Sequence, residues 1–210
     1  MGSLELIIGP MFSGKTEMLI QLYNEHDNVT SKKNSIFTKN KVFAINYDQD
    51  TRYGTNVITS HDGKSINCTS INNLYDLDDN HPTAQKFNLA EYVFINEAQF
   101  FTNLKSWVLN QVESYNKNII LCGLDSDFKR EKFGEIWELI PHANKITKLS
   151  GTCSKCSKPS IYTHRISNEI EQEVVGTSNY IPVCRMCYWS LNSRFLLNKD
   201  DDCCDLDFQY

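Results

Sequence analysis

The chain has 210 residues, 40% of them hydrophobic and 22% charged, which suits an ordinary globular protein of one domain, or one domain with a smaller appendage. Its formal net charge of −5 argues against a surface built to neutralise nucleic-acid phosphates, although a localised site for a small anion is compatible with it. No apolar run approaches the ~20 residues that cross a bilayer, and the N-terminus lacks the basic-then-apolar form of a signal peptide. A cytoplasmic protein with no membrane partner is expected; Met1-Gly2-Ser3 does not complete a myristoylation signal, because Leu6 stands where Ser or Thr is needed.

The first element is the apolar strand Leu4 to Ile8. It runs into Gly9-Pro10-Met11-Phe12-Ser13-Gly14-Lys15-Thr16, the pattern G-x-x-x-x-G-K-[ST], with a helix-like segment from Thr16 to Tyr23 that should end near Asp27-Asn28. A strand, a glycine-bent loop and a helix N-terminus together point several N–H groups at one anion. Lys15 would reach the β- and γ-phosphates of a nucleotide, and the Thr16 hydroxyl would ligate Mg²⁺. The alternative is a glycine turn between strand and helix with no ligand.

A second strand is expected over 41–46, followed by a polar segment containing Asp50-Thr51-Arg52. Short alternating runs at 57–59 and 65–68 flank His61-Asp62-Gly63 and read as a hairpin or edge strands. A weak helix over 71–77 leads into an acidic loop. Tyr92-Val93-Phe94-Ile95 and Ile119 to Leu124 are continuous apolar runs, as expected of parallel strands buried on both faces. Between them Leu104, Trp107, Val108 and Val112 recur at helical spacing. Alternating strands and helices imply an α/β fold with a doubly wound, mostly parallel sheet over residues 1–148, its ligand at the carboxyl ends of the strands. The charged stretch 125–134, carrying Phe128 and Phe133, reads as a mobile substrate loop or as a surface loop anchored by two aromatics.

Beyond residue 148 the composition changes. Cys153-x-x-Cys156 and Cys184-x-x-Cys187 bracket β-like stretches near 161–163 and 173–175, which suggests a zinc-ribbon domain over 149–191. Four thiolates suit a tetrahedral structural Zn²⁺, with no open position for catalysis. The stretch 157–183 exceeds the ~15–20 residues of the simplest pattern, so a substantial loop must separate the knuckles. Residues 192–210, including Cys203-Cys204, are expected to be a disordered acidic tail.

Glu97 stands just past a buried strand, where a carboxylate would face the cleft and could accept a hydroxyl proton; otherwise it is an acid placed favourably near a helix N-terminus. Asp50 and Arg52 could serve a metal shell and a phosphate, or form a surface ion pair.

Taken together, these blocks resemble the type II thymidine kinases, the cytosolic-type family that joins a P-loop domain to a zinc ribbon. The resemblance rests on the glycine loop, Asp50-Thr51-Arg52-Tyr53, Thr59-Ser60-His61-Asp62, Glu97-Ala98-Gln99-Phe100-Phe101, Gly123-Leu124-Asp125, Phe133-Gly134, both cysteine pairs and Tyr162-Thr163-His164-Arg165, and covers roughly residues 4–190. It implies transfer of the γ-phosphoryl of ATP to the 5′-hydroxyl of thymidine, with Glu97 as catalytic base and Arg52 on the transferring phosphate. It further implies that Gly9 to Thr16 bind ATP, that Thr16, Asp50 and Asn96 serve Mg²⁺, and that Zn²⁺ is structural. The nucleoside pocket would comprise Met11, Phe100, Leu124, Phe128, Phe133, Thr163, Val174, Gly176 and Tyr180, with a lasso over 176–181. A homotetramer, inhibition by thymidine triphosphate and no nucleic-acid partner are also implied. The chain departs from the pattern at Asn96, where the family has Asp, at a lasso one residue shorter, and at Gln172, where an apolar residue is usual. The competing readings are a nucleotide-binding sensor of weak activity and a zinc-ribbon nucleic-acid-binding ATPase.

Overall fold

A computed structural model of the chain describes residues 1–32, 42–50, 54–77, 81–172 and 179–196. Strand β1 (Ser3–Gly9) leads into helix α1 (Lys15–Lys32), and β2 (Val42–Tyr47) returns to the sheet. A hairpin of β3 (Val57–Thr59) and β4 (Ser65–Asn67) precedes β5 (Thr69–Ile71), a 3-10 turn at Leu74–Asp76, and α2 (Ala84–Leu89). Then follow β6 (Tyr92–Ile95), α3 (Leu104–Glu113), β7 (Asn118–Leu124), α4 (Ile136–Leu139) and β8 (Lys145–Lys148). The C-terminal part holds β9 (Gly151–Thr152), β10 (Pro159–Ser160), β11 (Tyr162–Arg165), β12 (Tyr180–Val183) and α5 (Arg185–Leu196).

The central sheet has the order β5-β2-β6-β7-β1-β8, and every neighbouring pair is parallel. Both faces are covered, as the continuous apolar strands require. On one face Leu4, Leu6, Val93, Ile95, Ile119 and Leu121 pack with Trp107 and Val108 of α3; on the other Ile7, Phe94 and Ile120 pack with Leu19 and Ile20 of α1. Each such side chain contributes about 1.5–3 kcal/mol when fully buried, so this two-sided core fixes the strand order and, with it, which loops meet.

Several elements differ from expectation. α1 continues to Lys32 rather than ending near Asp27-Asn28, because no Gly or Pro interrupts it and its polar residues each cost only tenths of a kcal/mol. The weak helix expected over 71–77 is instead the end of β5 followed by a single 3-10 turn. β5 and β8 join the sheet as its two edges, α2 was not anticipated, and α5 runs to Leu196, so residues 192–196 are helical. The partner of β11 is β12, which takes in Tyr180 and Ile181; the β-like stretch 173–175 lies outside the described residues, as do Cys203 and Cys204. No described helix is long and apolar enough to cross a membrane.

Candidate active site

All strands of the sheet point the same way, so the loops after β1, β2, β6 and β7 gather at one edge around a cavity of about 440 Å³. The glycine loop lies between β1 and α1 as its sequence requires. Its turn uses left-handed backbone at Phe12 (φ 61°) and at Gly14 (φ 84°), where glycine carries no Cβ penalty. Met11 through Thr16 line the cavity, and Gly9 and Pro10 form the loop's base. Lys15 Nζ donates to Pro10 O at 2.7 Å, and its side chain is 9% exposed. The Ser13 hydroxyl is buried with no hydrogen-bond partner among the described residues, an orphan of the kind that a phosphate oxygen satisfies. Loop and orphan together fit an anion at the head of α1.

Beside this loop is a row of polar side chains. Thr16 Oγ1 donates to Asn96 Oδ1 at 3.3 Å, Asn96 Nδ2 to Asn46 Oδ1 at 2.8 Å, and Asn46 Nδ2 to Asp50 Oδ2 at 3.4 Å. The Cys122 thiol donates to Asn96 Oδ1 at 3.1 Å; burial pushes its pKa up to about 12, with the charge of Glu97 adding to the effect. Hydroxyl, amide carbonyl and carboxylate oxygens are the hard donors that Mg²⁺ prefers, so Thr16, Asn96 and Asp50 fit that ion by chemistry.

Glu97 follows immediately, with φ 51° and ψ 42°. A non-glycine residue in the left-handed region costs on the order of 1–2 kcal/mol and marks a position held by its surroundings. One holding partner is Gln99, 3% exposed, whose Nε2 donates to Glu97 Oε2 at 2.7 Å while its Oε1 accepts from the Leu124 N–H at 3.0 Å. A charge-assisted bond of this kind fixes both the position and the rotamer of the carboxylate.

The same cavity also holds an aromatic slot. Phe100 stacks on Tyr47 with centroids 5.1 Å apart and meets Phe133 edge-on at 5.3 Å. Leu124, Phe128, Thr163, Gln172 and Tyr180 complete the lining. Thr163 Oγ1 accepts from the Met11 N–H at 3.0 Å, tying the glycine loop to β11. Arg165 holds the chain that follows β11: it donates to the carbonyls of Glu169 (2.9 Å), Glu171 and Gln172 (3.1 Å) and to the Tyr180 hydroxyl, and its guanidinium lies 3.7 Å from the Phe128 ring centroid. The stretch 125–134 is closed by Asp127, whose Oδ1 accepts from the N–H groups of Lys129 and Glu131 and whose Oδ2 accepts from Gln172. The polar head of Gln172 is thereby turned towards this loop. Arg52, Val174 and Gly176 lie outside the described residues.

The sulfurs of Cys153, Cys156, Cys184 and Cys187 all lie within 4.8 Å of one another, and Cys156 Sγ stands 3.6 Å from Cys184 Sγ. A tetrahedral Zn²⁺ with bonds of ~2.3 Å sets its sulfurs about 3.8 Å apart, so the cluster fits that ion. The Cys187 N–H points at Cys184 Sγ at 3.5 Å, as in a metal knuckle. Hydrogen bonds with the Cys156 and Cys184 thiols push Cys187 up to about 12, a shift that a bound cation reverses by drawing all four thiols into the thiolate form.

The described residues therefore bring together the glycine loop, Asp50, Asn96, Glu97 and the aromatic slot, with the four cysteines in a separate cluster drawn from the turn after β9 and the start of α5. Sequence reasoning assigned no role to Gln99, Asn46, Tyr47 or Asp127. Gln99 stands in the block Glu97-Ala98-Gln99-Phe100-Phe101, on which the resemblance rests in part. Asn46 was a polar residue closing an apolar strand, and its importance shows only once β2 lies beside β6.

This is a parallel-sheet α/β protein that sets a glycine-loop anion site, a clamped carboxylate and an aromatic slot around one cavity, with a four-cysteine module against its rim. The sequence model of the family described as thymidine kinase matches residues 2–188. A thymidine kinase of Sheeppox virus is 36% identical over 189 residues, 90% of this chain and 97% of the viral protein. A thymidine kinase of Oryza sativa subsp. japonica is 32% identical over 188 residues, 89% of this chain and 66% of the rice protein, so the chain spans about two thirds of that relative. A cytosolic thymidine kinase of Cricetulus griseus is 32% identical over 193 residues, 91% of this chain and 75% of the relative. The chain belongs to the thymidine kinase family.

Proposed function

We propose that the protein is a thymidine kinase that transfers the γ-phosphoryl of ATP to the 5′-hydroxyl of thymidine, releasing ADP and thymidine 5′-monophosphate. The observation that carries this reading is the meeting of the glycine loop, Glu97 and the aromatic slot across one cavity in a chain of this family. The N–H groups of residues 9–16 and the Lys15 ammonium hold the triphosphate. Thr16, Asp50 and Asn96 would hold Mg²⁺, which would neutralise phosphate charge. Glu97 accepts the 5′-hydroxyl proton as the new O–P bond forms and the bond to the β-phosphate oxygen breaks. Arg52 contacts the transferring phosphoryl group. Phe100, Leu124, Phe128, Phe133, Met11, Thr163 and Tyr180, with Val174 and Gly176, hold the nucleoside.

Little covalent chemistry is asked of the protein, so positioning and charge stabilisation supply the rate. The four cysteines would hold a structural Zn²⁺, which would fix β11 and β12 and with them Thr163 and Tyr180. Tetrameric assembly, inhibition by thymidine triphosphate and a cytoplasmic location belong to the same reading.

The test is phosphorylation of thymidine with ATP and Mg²⁺ by purified protein, beside Glu97→Gln and beside deoxycytidine and deoxyadenosine. Thymidine-selective turnover, reduced at least ~100-fold in Glu97→Gln, is expected. A zinc-loaded, ATP-binding wild type without turnover would overturn the assignment.

A further inference from the structure

We propose that Asn46 is a positioning residue that fixes which end of the Asn96 amide faces Thr16, an inference that deepens the Mg²⁺ reading above and rests on it. The register places the two amides together. β2 and β6 pair Ile45 with Ile95, and β6 and β7 pair Ile95 with Leu121, so residues 46, 96 and 122 form the next row at the carboxyl edge of the sheet. Ala44, Phe94, Ile120 and Cys122 face α1, and side chains alternate along a strand, so Asn46 and Asn96 face α1 as well. The two asparagines are 1% and 2% exposed.

A side-chain amide has one accepting and one donating end, and a buried one must satisfy both. Taken alone, Asn96 could turn either end towards Thr16. The direction is set at the far end of the row. The Asp50 carboxylate only accepts, so Asn46 turns Nδ2 to it at 3.4 Å and is left with Oδ1 facing Asn96. Asn96 must then present Nδ2, which it does at 2.8 Å, and its Oδ1 is left for Thr16 at 3.3 Å and for the Cys122 thiol at 3.1 Å. One carboxylate thus orients two neutral amides in succession, and an oxygen arrives where the metal shell is served.

Reversing the row would set two N–H donors against Thr16 and repel a cation. Where position 96 is a carboxylate, either of its oxygens serves and no such control is needed. Because this chain has Asn96, the residue beside it decides the outcome.

The experiment compares wild type, Asn46→Leu, Asn96→Asp and the double variant Asn46→Leu/Asn96→Asp as full-length, zinc-loaded protein. The leucine removes the partner that orients Asn96, whereas an aspartate at position 96 offers an oxygen whichever way it turns. Two readouts are taken: binding of Mn²⁺ in the presence of ADP by electron paramagnetic resonance, and the Mg²⁺ dependence of thymidine phosphorylation with its thymidine KM. Asn46→Leu should weaken Mn²⁺·ADP binding about 10–100-fold, the usual effect of losing an orienting partner behind a metal ligand, with thymidine KM unchanged. In the Asn96→Asp background the same Asn46→Leu change should alter Mn²⁺·ADP binding by less than about threefold. Equal losses in both backgrounds, or no loss from Asn46→Leu beside Asn96, would overturn the proposal. If Asn46→Leu does not fold, Asn46→Ala takes its place in both backgrounds under the same criteria. Failure of the kinase reading would show separately, as a wild type that binds Mn²⁺·ADP yet does not phosphorylate thymidine.

Discussion

Replacing Gly123 by alanine tests whether Glu97 is held by Gln99. An added Cβ would stand 2.5 Å from Gln99 Oε1 and closer still to Ile136 Cδ1, so the methyl and the Gln99 amide cannot occupy the same space. If Gln99 is driven out, the Leu124 N–H loses its acceptor and Glu97 Oε2 loses the Gln99 donor. A buried donor left unsatisfied costs about 1–3 kcal/mol, and the overpacking itself a similar amount. The two overlap, so a total of about 2–4 kcal/mol is expected, or a fall in Tm of roughly 4–16 °C for a chain of this size. The catalytic effect is separate. A displacement of the carboxylate by about 1 Å is worth on the order of 10²-fold in rate. Steady-state kinetics with thymidine and ATP, run beside thermal melting, would show kcat falling by that order while the KM for ATP changes little. Gln99→Leu removes the same clamp without overpacking, so it should lose a comparable factor in kcat with a smaller fall in Tm. A Gly123→Ala protein with wild-type kcat would refute the account.

Removing the metal should act on the nucleoside side of the site. Cys156→Ser is expected to lose stoichiometric zinc by elemental analysis and to raise thymidine KM by tenfold or more, as disorder in β11 and β12 reaches Thr163 and Tyr180. Arg165→Lys should also raise thymidine KM, by about 10-fold, because a single ammonium cannot span three carbonyls and a hydroxyl as a planar guanidinium does; isothermal calorimetry with thymidine checks it. His164 gives a pH dependence. Desolvation, with the nearby Lys155 charge, holds its folded pKa below the ordinary value, so the unfolded chain binds the extra proton first as pH falls. Stability at this residue is therefore present above about pH 6.5 and lost below it. Melting between pH 5 and 8 should show a decline on the acid side that is shallower in His164→Gln; parallel curves would contradict it.

What could be read from sequence was whatever local chemistry specifies alone. The glycine loop between strand and helix, the buried runs of β6 and β7, the amphipathic α3 and the four cysteines each carry their signal within a few residues. β8 and β5 do not. Lys145-Ile146-Thr147-Lys148 is largely exposed and has no clean alternation, and it is a strand because β1 offers it a partner. Thr69-Ser70-Ile71 is a strand for the same reason beside β2. The clamp on Glu97 and the Asn46–Asn96 row were hidden for a related cause: each depends on what stands opposite in the register, and no single segment contains that information. Gln172, conspicuous in sequence as a polar residue at an apolar position, proves to spend its amide on Asp127 and the Lys132 carbonyl.

The hydrogen bond from the Met11 N–H to Thr163 joins the two ends of the cavity through the backbone of the anion loop itself. With a metal in the cysteine cluster and a nucleotide on the loop, phosphate capture and metal retention would be linked equilibria, because Thr163 ties the loop to β11, and β11 pairs with β12, the strand that runs into Cys184. Such coupling is reciprocal by thermodynamic necessity. Whatever factor zinc contributes to the affinity for a nucleotide, the nucleotide returns to the affinity for zinc. With zinc in the cysteine cluster, nucleotide would protect the metal against loss, and loss of zinc would weaken nucleotide binding.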